Sequence, residues 1–197
     1  MALAFDYDAL LKILQVTDKV LMGKKARGPL PEGFPGFDAF LPIPKKDLAA
    51  ARAELAKSKY DPRQVRVEIA WVAEVPLEEK IALLLQQNLA EIGIQADVVK
   101  VPWALMTERA SRPDSTPNVS ATFPDPDSLL YSMYHSKAAG TWLSMSWLQD
   151  KQVDDLLDQG RRTVDEGRRK EIYARLQRYL VENQVDKIGR ASCRERV

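Results

Sequence analysis

The hydrophobic and polar positions of this chain alternate in some segments and recur with helical spacing in others. Residues 65–71, VRVEIAW, alternate strictly and predict a half-buried strand. Residues 76–93 carry an apolar stripe between Pro76 and Gly93, a start and a stop that are typical of a helix. Residues 94–103, IQADVVKVPW, predict a second strand. A strand, a helix and a strand in this order predict a parallel crossover unit and an α/β fold.

The N-terminal part contains two further predicted helices and a long loop. Residues 6–14 place leucines on one face of a short helix, and Asp47 is a suitable N-cap for an alanine-rich helix whose lysines fall in its last turn. Residues 23–46, between these two helices, are rich in proline and glycine and show neither the helical nor the strand periodicity of apolar residues. We predict an ordered loop that packs Phe34, Phe37 and Phe40 against the protein, because disordered linkers are poor in aromatic residues.

Two more helices are predicted near the C-terminus. A third apolar stretch, residues 118–123, leads into an irregular aromatic segment. Residues 150–160 then predict a helix that stops at Gly160. Residues 163–183 predict a longer helix with one apolar ridge, and its first residue, Thr163, opens a capping box.

The composition is that of an ordinary globular protein. The chain is 45% hydrophobic and 29% charged, and its net charge of +1 provides no basic field for nucleic acid. No apolar run approaches the roughly 20 residues that a membrane helix needs. The opening residues reach Asp6 too early for the apolar region of a signal peptide. Taken literally, these features predict a cytosolic protein.

The last residues, IGRASCRERV, depart from every pattern before them. They can be back-translated in frame into a common short-read sequencing adapter whose stop codon follows Val197. We therefore expect residues 188–197 to be an artefactual, disordered tail, with a natural basic tail as the alternative. On this interpretation Cys193 carries no information and Met1 is an internal methionine, so the opening residues say nothing about location.

No catalytic or metal-binding pattern stands out. His135 is the only histidine and is expected on the surface; a Ser132–His135–Asp set or a contact with a metal chelate is the alternative. Asp125 and Asp127 are candidate metal ligands, but their spacing suits caps of the helix after Pro126 better. No glycine-rich phosphate loop follows a strand. We therefore expect no cofactor, no resident metal and no enzymatic activity.

Six segments, taken in order, resemble the large extracytoplasmic solute-binding proteins of the peptide/nickel class, family 5. ALAFDYDAL is similar to the family's R-x-A-L-A-Y-A-I-D-R-x-x-L, and ARGPLPEGFPGFD to its a-x-G-P-l-P-x-g-x-p-G-y-D. The resemblance continues through DLAAARAELAKSKYD, with Lys59 in the place of a glycine, and through IALLLQQNLAEIGIQADVVKVPWA. ATFPDPDSLL and the closing helices extend it to about Asp186.

The resemblance implies one lobe of a bilobed periplasmic binding protein, with a mixed sheet flanked by helices. Residues 1–187 would form the C-terminal lobe, truncated at both ends, and an export signal is expected in a preceding part. Such proteins capture a peptide or another small polar solute between two lobes and deliver it to ABC permease subunits at the membrane. The implied location is periplasmic or extracytoplasmic, and the complete protein is expected to be a monomer.

The resemblance also implies which residues contact the ligand. In peptide binders of the family, the acidic residue of a-D-Y-p-D-P faces the ammonium group of the ligand, and this chain has Thr122 there. A hydroxyl group cannot pair a buried charge, which favours sugar-like, opine-like or otherwise less cationic ligands over peptides with a free amino terminus. The candidate ligand residues are Thr122, Phe123, Asp125, Tyr131, Tyr134, Trp142 and Trp147. For each aromatic residue the alternative is a place in the core, where Trp103 is expected.

Two other functions remain open from the sequence. One is a cytosolic α/β enzyme with an unrecognised active site, which requires the tail to be natural and Met1 to be the true start. The other is a binding protein that serves as a signalling receptor or a chaperone. Neighbouring permease and ATPase genes would distinguish a transport protein from the second alternative.

Overall fold

The computed structural model describes residues 1–21, 23–58, 61–110, 125–141, 143–144, 147–183 and 185. The chain divides into two units, residues 1–25 with 43–106, and residues 26–42 with 107–197. The first unit contains α1 (Tyr7–Ile13), β1 (Gln15–Thr17), β2 (Val20–Leu21), α2 (Leu48–Ala56), β3 (Arg66–Val72), α3 (Pro76–Ala90), β4 (Gln95–Val101) and the start of α4 (Trp103–Ala110). The second contains α5 (Pro126–Tyr134), α6 (Lys151–Arg162) and α7 (Glu166–Glu182).

The predicted strand–helix–strand unit is confirmed. β3 and β4 pair in parallel, from Arg66 opposite Gln95 to Val72 opposite Val101, and α3 connects them. One face of the ladder packs against buried leucines of α3, such as Leu89, because Val67 and Ile69 of β3 alternate onto that face. The other face packs against α4. β1 and β2 pair antiparallel, and in the described part of the chain they form a sheet of their own.

Helix boundaries in the first unit follow local signals. Asp6 caps α1, and Asp47 caps α2 by accepting a hydrogen bond from the Ala50 amide at 2.8 Å. Of the lysines predicted for the last turn of α2, Lys57 is the C-cap, since the helix ends at Ala56, and Lys59 lies outside the described residues. Gly93 has a φ of +84°, a left-handed conformation that ends the α3 region where a residue with a side chain would be strained.

In the second unit, α5, α6 and α7 surround a core of leucines and tyrosines that also receives Leu30 from the loop. α6 does not stop at Gly160, as predicted, but continues to Arg162. Gly160 is instead the point where α7 comes closest, because a Cβ atom there would lie 2.8 Å from Cζ of Tyr173. The glycine therefore permits a close approach of two helices rather than a helix end.

The predicted capping box of α7 is wrong. Asp165 is the N-cap, and its carboxylate accepts a hydrogen bond from the Arg168 amide at 2.7 Å. Thr163 belongs to the preceding helix, since its hydroxyl donates to the Gln159 carbonyl of α6 at 2.8 Å. Both residue types are good N-caps, and their places in the three-residue connection between the helices, residues 163–165, decide which one serves.

Residues 26–42 form the predicted loop without helix or strand and lie against α7. The Leu30 amide donates to Gln177 at 3.1 Å, and the Arg178 guanidinium donates to the buried carboxylate of Asp38. Phe34 packs on the core, but Phe40 is 96% exposed, so its predicted packing is wrong. The Asp38 carboxylate accepts the Phe40 amide at 2.9 Å, and the ring points to solvent.

The predicted apolar stretch 118–123 and tail 188–197 lie outside the described residues. Among the described helices, none combines the length and the apolar composition needed to cross a membrane.

Candidate functional site

The carboxyl ends of β3 and β4 form one edge of the parallel ladder in the first unit. Glu74 and Val75 follow β3, and Trp103 follows β4 after a single proline. The Glu74 carboxylate accepts the Trp103 amide at 3.0 Å, and Glu78 accepts the Val72 amide at 2.8 Å. α3 and α4 both begin at this edge, so their amino-terminal ends lie beside it. In open α/β sheets, ligands bind in the crevice outside the carboxyl ends of the strands.

Trp103 is exposed at this edge, and the expectation that it lies in the core is wrong. Its exposed fraction is 43%, and that of Val75 is 41%. Met106 takes the buried position of α4 against Val72, which leaves the first residue of the helix outside. A tryptophan one proline after a predicted parallel strand is the sequence feature that indicates a residue at this edge, because the strand end fixes where it lies. An exposed indole offers a flat apolar surface with one hydrogen-bond donor.

In the second unit, Asp125 and Asp127 cap and brace the start of α5. Asp125 is the N-cap and accepts the Asp127 amide at 2.9 Å. Arg169 of α7 donates to Asp125 at 3.0 Å, and Arg161 of α6 donates to Asp127 at the same distance. The Tyr173 hydroxyl also donates to Asp127, at 3.3 Å; burial and that carboxylate raise the pKa of Tyr173 well above its usual value. The two carboxylates therefore serve the structural role that the sequence favoured, and ligand contact by Asp125 stays a prediction.

Tyr131 lies between two stacked groups. The Arg161 guanidinium carbon is 3.6 Å from its ring centroid, and the His135 ring is stacked on it at 4.2 Å. If the guanidinium and the imidazole lay on the same face of the Tyr131 ring, at these distances they would overlap. They therefore lie on opposite faces of the ring. The ring of Tyr131 therefore has no open face for the predicted stacking on a ligand, and only its edge and hydroxyl group are left for that role.

The other candidate ligand residues differ in their surroundings. Tyr134 is 1% exposed and belongs to the core of the second unit, which agrees with the alternative that the sequence left open. Trp147 is half-buried, and its φ of +45° is a left-handed conformation that costs a residue with a side chain about 1–3 kcal/mol. Thr122, Phe123 and Trp142 lie outside the described residues. A role in ligand binding stays a prediction for all of them.

His135 is buried, so the expectation of a surface residue is wrong. It is 2% exposed because α5 ends just before it and its ring folds back onto Tyr131, one turn earlier. Nδ1 accepts the Lys137 amide at 3.0 Å, and its distance to Asp154 is 3.6 Å. Nε2 lies 3.6 Å from Asp158 and has no hydrogen-bond partner among the described residues.

These contacts do not form a catalytic triad or a metal site. The Ser132 hydroxyl donates to the Ser128 carbonyl within α5 at 2.8 Å and not to His135. The two ring nitrogens of His135 face different carboxylates, those of Asp154 and Asp158, so a single metal ion cannot be bound by both carboxylates together with one nitrogen. Among the described residues, no group of three His, Cys, Asp or Glu side chains is arranged to hold a metal ion.

Residues 1–141 match the sequence profile of the bacterial extracellular solute-binding proteins, family 5, in the middle region of that family. The chain belongs to this family. It is 29% identical over 164 residues to an Escherichia coli protein named as a probable D,D-dipeptide-binding periplasmic protein, covering 82% of this chain and 31% of that one. The match with protein XP55 of Streptomyces lividans is 28% identical over 187 residues and covers 88% of this chain and 34% of the relative.

Solved structures show the same fold. A dipeptide-binding protein of Pseudoalteromonas in complex with Met-Leu superimposes with a TM-score of 0.81 at 22% identity, covering 93% of this chain and 37% of the other. A binding protein of A. tumefaciens in complex with mannopinic acid superimposes with a TM-score of 0.74, also at 22% identity and with the same coverage. These neighbours are bilobed binding proteins, and the predicted α/β lobe is confirmed. The chain spans about a third of the length of the curated relatives it matches.

Proposed function

We propose that this chain is part of the solute-capturing component of an ABC importer. The complete protein acts outside the cytoplasm, binds a small polar solute between two lobes and presents it to permease subunits. The match of residues 1–141 to an extracellular solute-binding family carries this proposal. Residues 1–187 are assigned to the C-terminal lobe, and residues 188–197 to an artefactual tail.

The proposed mechanism is binding without a chemical step. A ligand shifts a two-lobed protein toward its closed state only by making contacts that the open state lacks. Considered by itself, the first unit offers one candidate contact surface, the carboxyl edge of β3 and β4, where Trp103 is exposed. In the second unit, the proposed contacts are Thr122 and Phe123, Trp142 and Trp147, with Asp125 at the start of α5.

The ligand class follows from Thr122. A carboxylate at this position pairs an ammonium group through a charge-assisted hydrogen bond, and a threonine does not. The relatives named above bind a dipeptide or mannopinic acid, so the family accommodates different polar ligands. We propose that this protein prefers a neutral or acidic solute to a peptide with a free amino terminus.

Isothermal titration calorimetry on the complete gene product tests both proposals. The probes are Met-Leu, D-alanyl-D-alanine, mannopinic acid and maltotriose. We expect at least one of the last two to bind with micromolar affinity and the dipeptides to bind more weakly. Micromolar affinity for a dipeptide would contradict the ligand class but support solute binding, whereas failure of this and a wider solute panel would contradict solute binding.

The variant Thr122→Asp sharpens the test. A new charge-assisted hydrogen bond contributes about 1.5–3 kcal/mol, so affinity for Met-Leu should rise by about 10- to 100-fold. Gln152→Asp is the matched control, since it adds the same charge at an exposed position elsewhere in the second unit. Equal gains in the two variants would show a general effect of charge. Mass spectrometry of the recovered probe tests the enzyme alternative, because an enzyme would return a changed molecule.

A further inference from the structure

The corner after α5 is fixed by side chains that accept backbone amides. Asp154 of α6 receives the Ser136 amide at 2.9 Å on one carboxylate oxygen and the Ser136 hydroxyl on the other. His135 receives the Lys137 amide at 3.0 Å. These three hydrogen bonds hold the single helical turn Ser136–Ala138 at the end of α5.

Three backbone hydrogen bonds, each between residues three positions apart, lead from this corner to Trp147. The Thr141 amide donates to Ala138 at 3.1 Å, the Ser144 amide to Thr141 at 3.1 Å, and the Trp147 amide to Ser144 at 3.4 Å. The Ser144 hydroxyl, which is buried, donates to the Met133 carbonyl of α5 at 3.2 Å. Asp154 holds Ser136, and backbone hydrogen bonds then connect Ala138, Thr141, Ser144 and Trp147 in turn. The position of Trp147 is therefore linked to Asp154.

Trp147 is held in a conformation that its own backbone disfavours. Among the described residues, it alone combines a side chain with a positive φ, at +45°. Its ring lies against Gly140, where a Cβ atom would be 3.5 Å from the indole. Gly140 itself has a φ of +87°. Disfavoured backbone of this kind persists only where the surroundings determine it, and it is concentrated at ligand-binding sites.

We propose that Asp154 is a positioning residue for Trp147. Asp154 holds Ser136 in place, and the backbone hydrogen bonds that continue from there to Trp147 present the indole ring to the ligand. This inference rests on the proposed function for the ligand contact, but the control of Trp147 by Asp154 does not depend on which solute binds. Asp154 also stabilises the end of α5, so a test must separate position from stability.

The experiment uses the complete gene product labelled with 5-fluorotryptophan. Trp147→Phe identifies the ¹⁹F resonance of Trp147 by its loss. In Asp154→Ala, we expect this resonance to shift or broaden while those of Trp71 and Trp103 in the first unit stay unchanged. Ser136→Ala, which removes only the hydroxyl bond to Asp154, should produce a smaller change in the same direction. Asp155→Ala is the control, because Asp155 is exposed and its recorded ion pair is with Lys151 on the same helix.

Affinity and melting temperature complete the test. Asp154→Ala should weaken binding of the best probe among the four named above by about tenfold or more, and Asp155→Ala should leave it unchanged. Asp154→Asn keeps one acceptor oxygen and should recover part of the loss. An unchanged Trp147 resonance in both Asp154→Ala and Ser136→Ala would overturn the proposal. So would a lower melting temperature with unchanged affinity. If the natural protein binds none of the probes, the resonance still decides whether Asp154 positions Trp147.

Discussion

The two units of this chain reach their cores by different routes. In the first, β3, α3 and β4 follow one another directly, and each begins or ends at a residue such as Pro76 or Gly93. In the second, the loop 26–42 meets α7 through pairs such as Leu30 and Gln177, which are 147 residues apart. Local patterns therefore describe the strand–helix–strand part of the first unit, whereas contacts between distant segments decide the details of the second unit.

The largest expected effect on the free energy of unfolding comes from replacing one glycine in each unit, Gly160 in the second and Gly93 in the first. In Gly160→Ala, the new Cβ would meet the fully buried ring of Tyr173 at 2.8 Å, and overpacking of this kind costs about 1–3 kcal/mol. In Gly93→Ala, nothing lies within 4 Å, and the cost is about 1 kcal/mol of backbone strain. Urea unfolding of each variant gives the free energy of unfolding.

Gly167→Ala is the matched control for the glycine comparison. It also places alanine in a helix, but its Cβ meets only a carboxylate oxygen of Asp165 at 3.5 Å. Because alanine is a better helix former than glycine, this variant should be neutral or more stable by up to about 1 kcal/mol. If Gly160→Ala behaved like Gly167→Ala, close helix contact would not be what requires glycine at position 160.

A second prediction concerns pH and the pair Asp38–Arg178 in the second unit. The hydrogen bond from Arg178, followed by the Phe40 amide, lowers the pKa of Asp38 in the folded protein. Because this pKa is lower in the folded chain than its value of about 3.9 in the unfolded chain, the ionised carboxylate stabilises the folded protein at any pH above about 3.9. This stabilisation is lost as the pH falls through the pKa of the folded state. Asp38→Asn should therefore flatten the loss of stability below about pH 4.

A double-mutant cycle with Arg178→Gln isolates the pair. Thermal unfolding at several pH values would show equal flattening in Asp38→Asn and in the double variant. If the acid-induced loss of stability were as steep in Asp38→Asn as in the natural protein, the pair would not contribute to it.

The smallest expected effect on stability is at the carboxyl edge of the first unit. Trp103→Ala should cost less than about 1 kcal/mol, because the side chain is 43% exposed and its backbone bond to Glu74 is retained. Under the proposed function, it should nevertheless weaken solute binding by about tenfold. Calorimetric titration of Trp103→Ala with unchanged affinity would remove this edge from the proposed site.

The parts of the fold that the sequence predicts are those with local causes. Alternation in β3 and the stripe of α3 report which face is buried, since both periods arise from backbone geometry. The predicted parallel crossover and the predicted N-cap at Asp47 agree with the structure for the same reason.

The errors have tertiary causes. Gly160 has the composition signal of a helix end, but its contact partner, Tyr173, lies thirteen residues later on another helix. His135 was expected on the surface, but it is buried by the stack with Tyr131 and by the carboxylates of α6. At the candidate site, the sequence identifies aromatic residues that are suited to stacking on a ligand. Whether the face of a ring is open, or covered as in Tyr131, depends on packing between segments that are distant in the sequence.

The anchoring of loop 26–42 on α7 also has a consequence for how the protein is made. Asp38 leaves the ribosome 140 residues before its partner Arg178. At 5–20 residues per second, synthesis of the intervening chain takes roughly 7–30 s. During this interval the strand–helix–strand segment of the first unit is already complete, whereas the loop has no α7 to bind. The nascent loop, with its phenylalanines, therefore stays without its folded partner until α7 has been made.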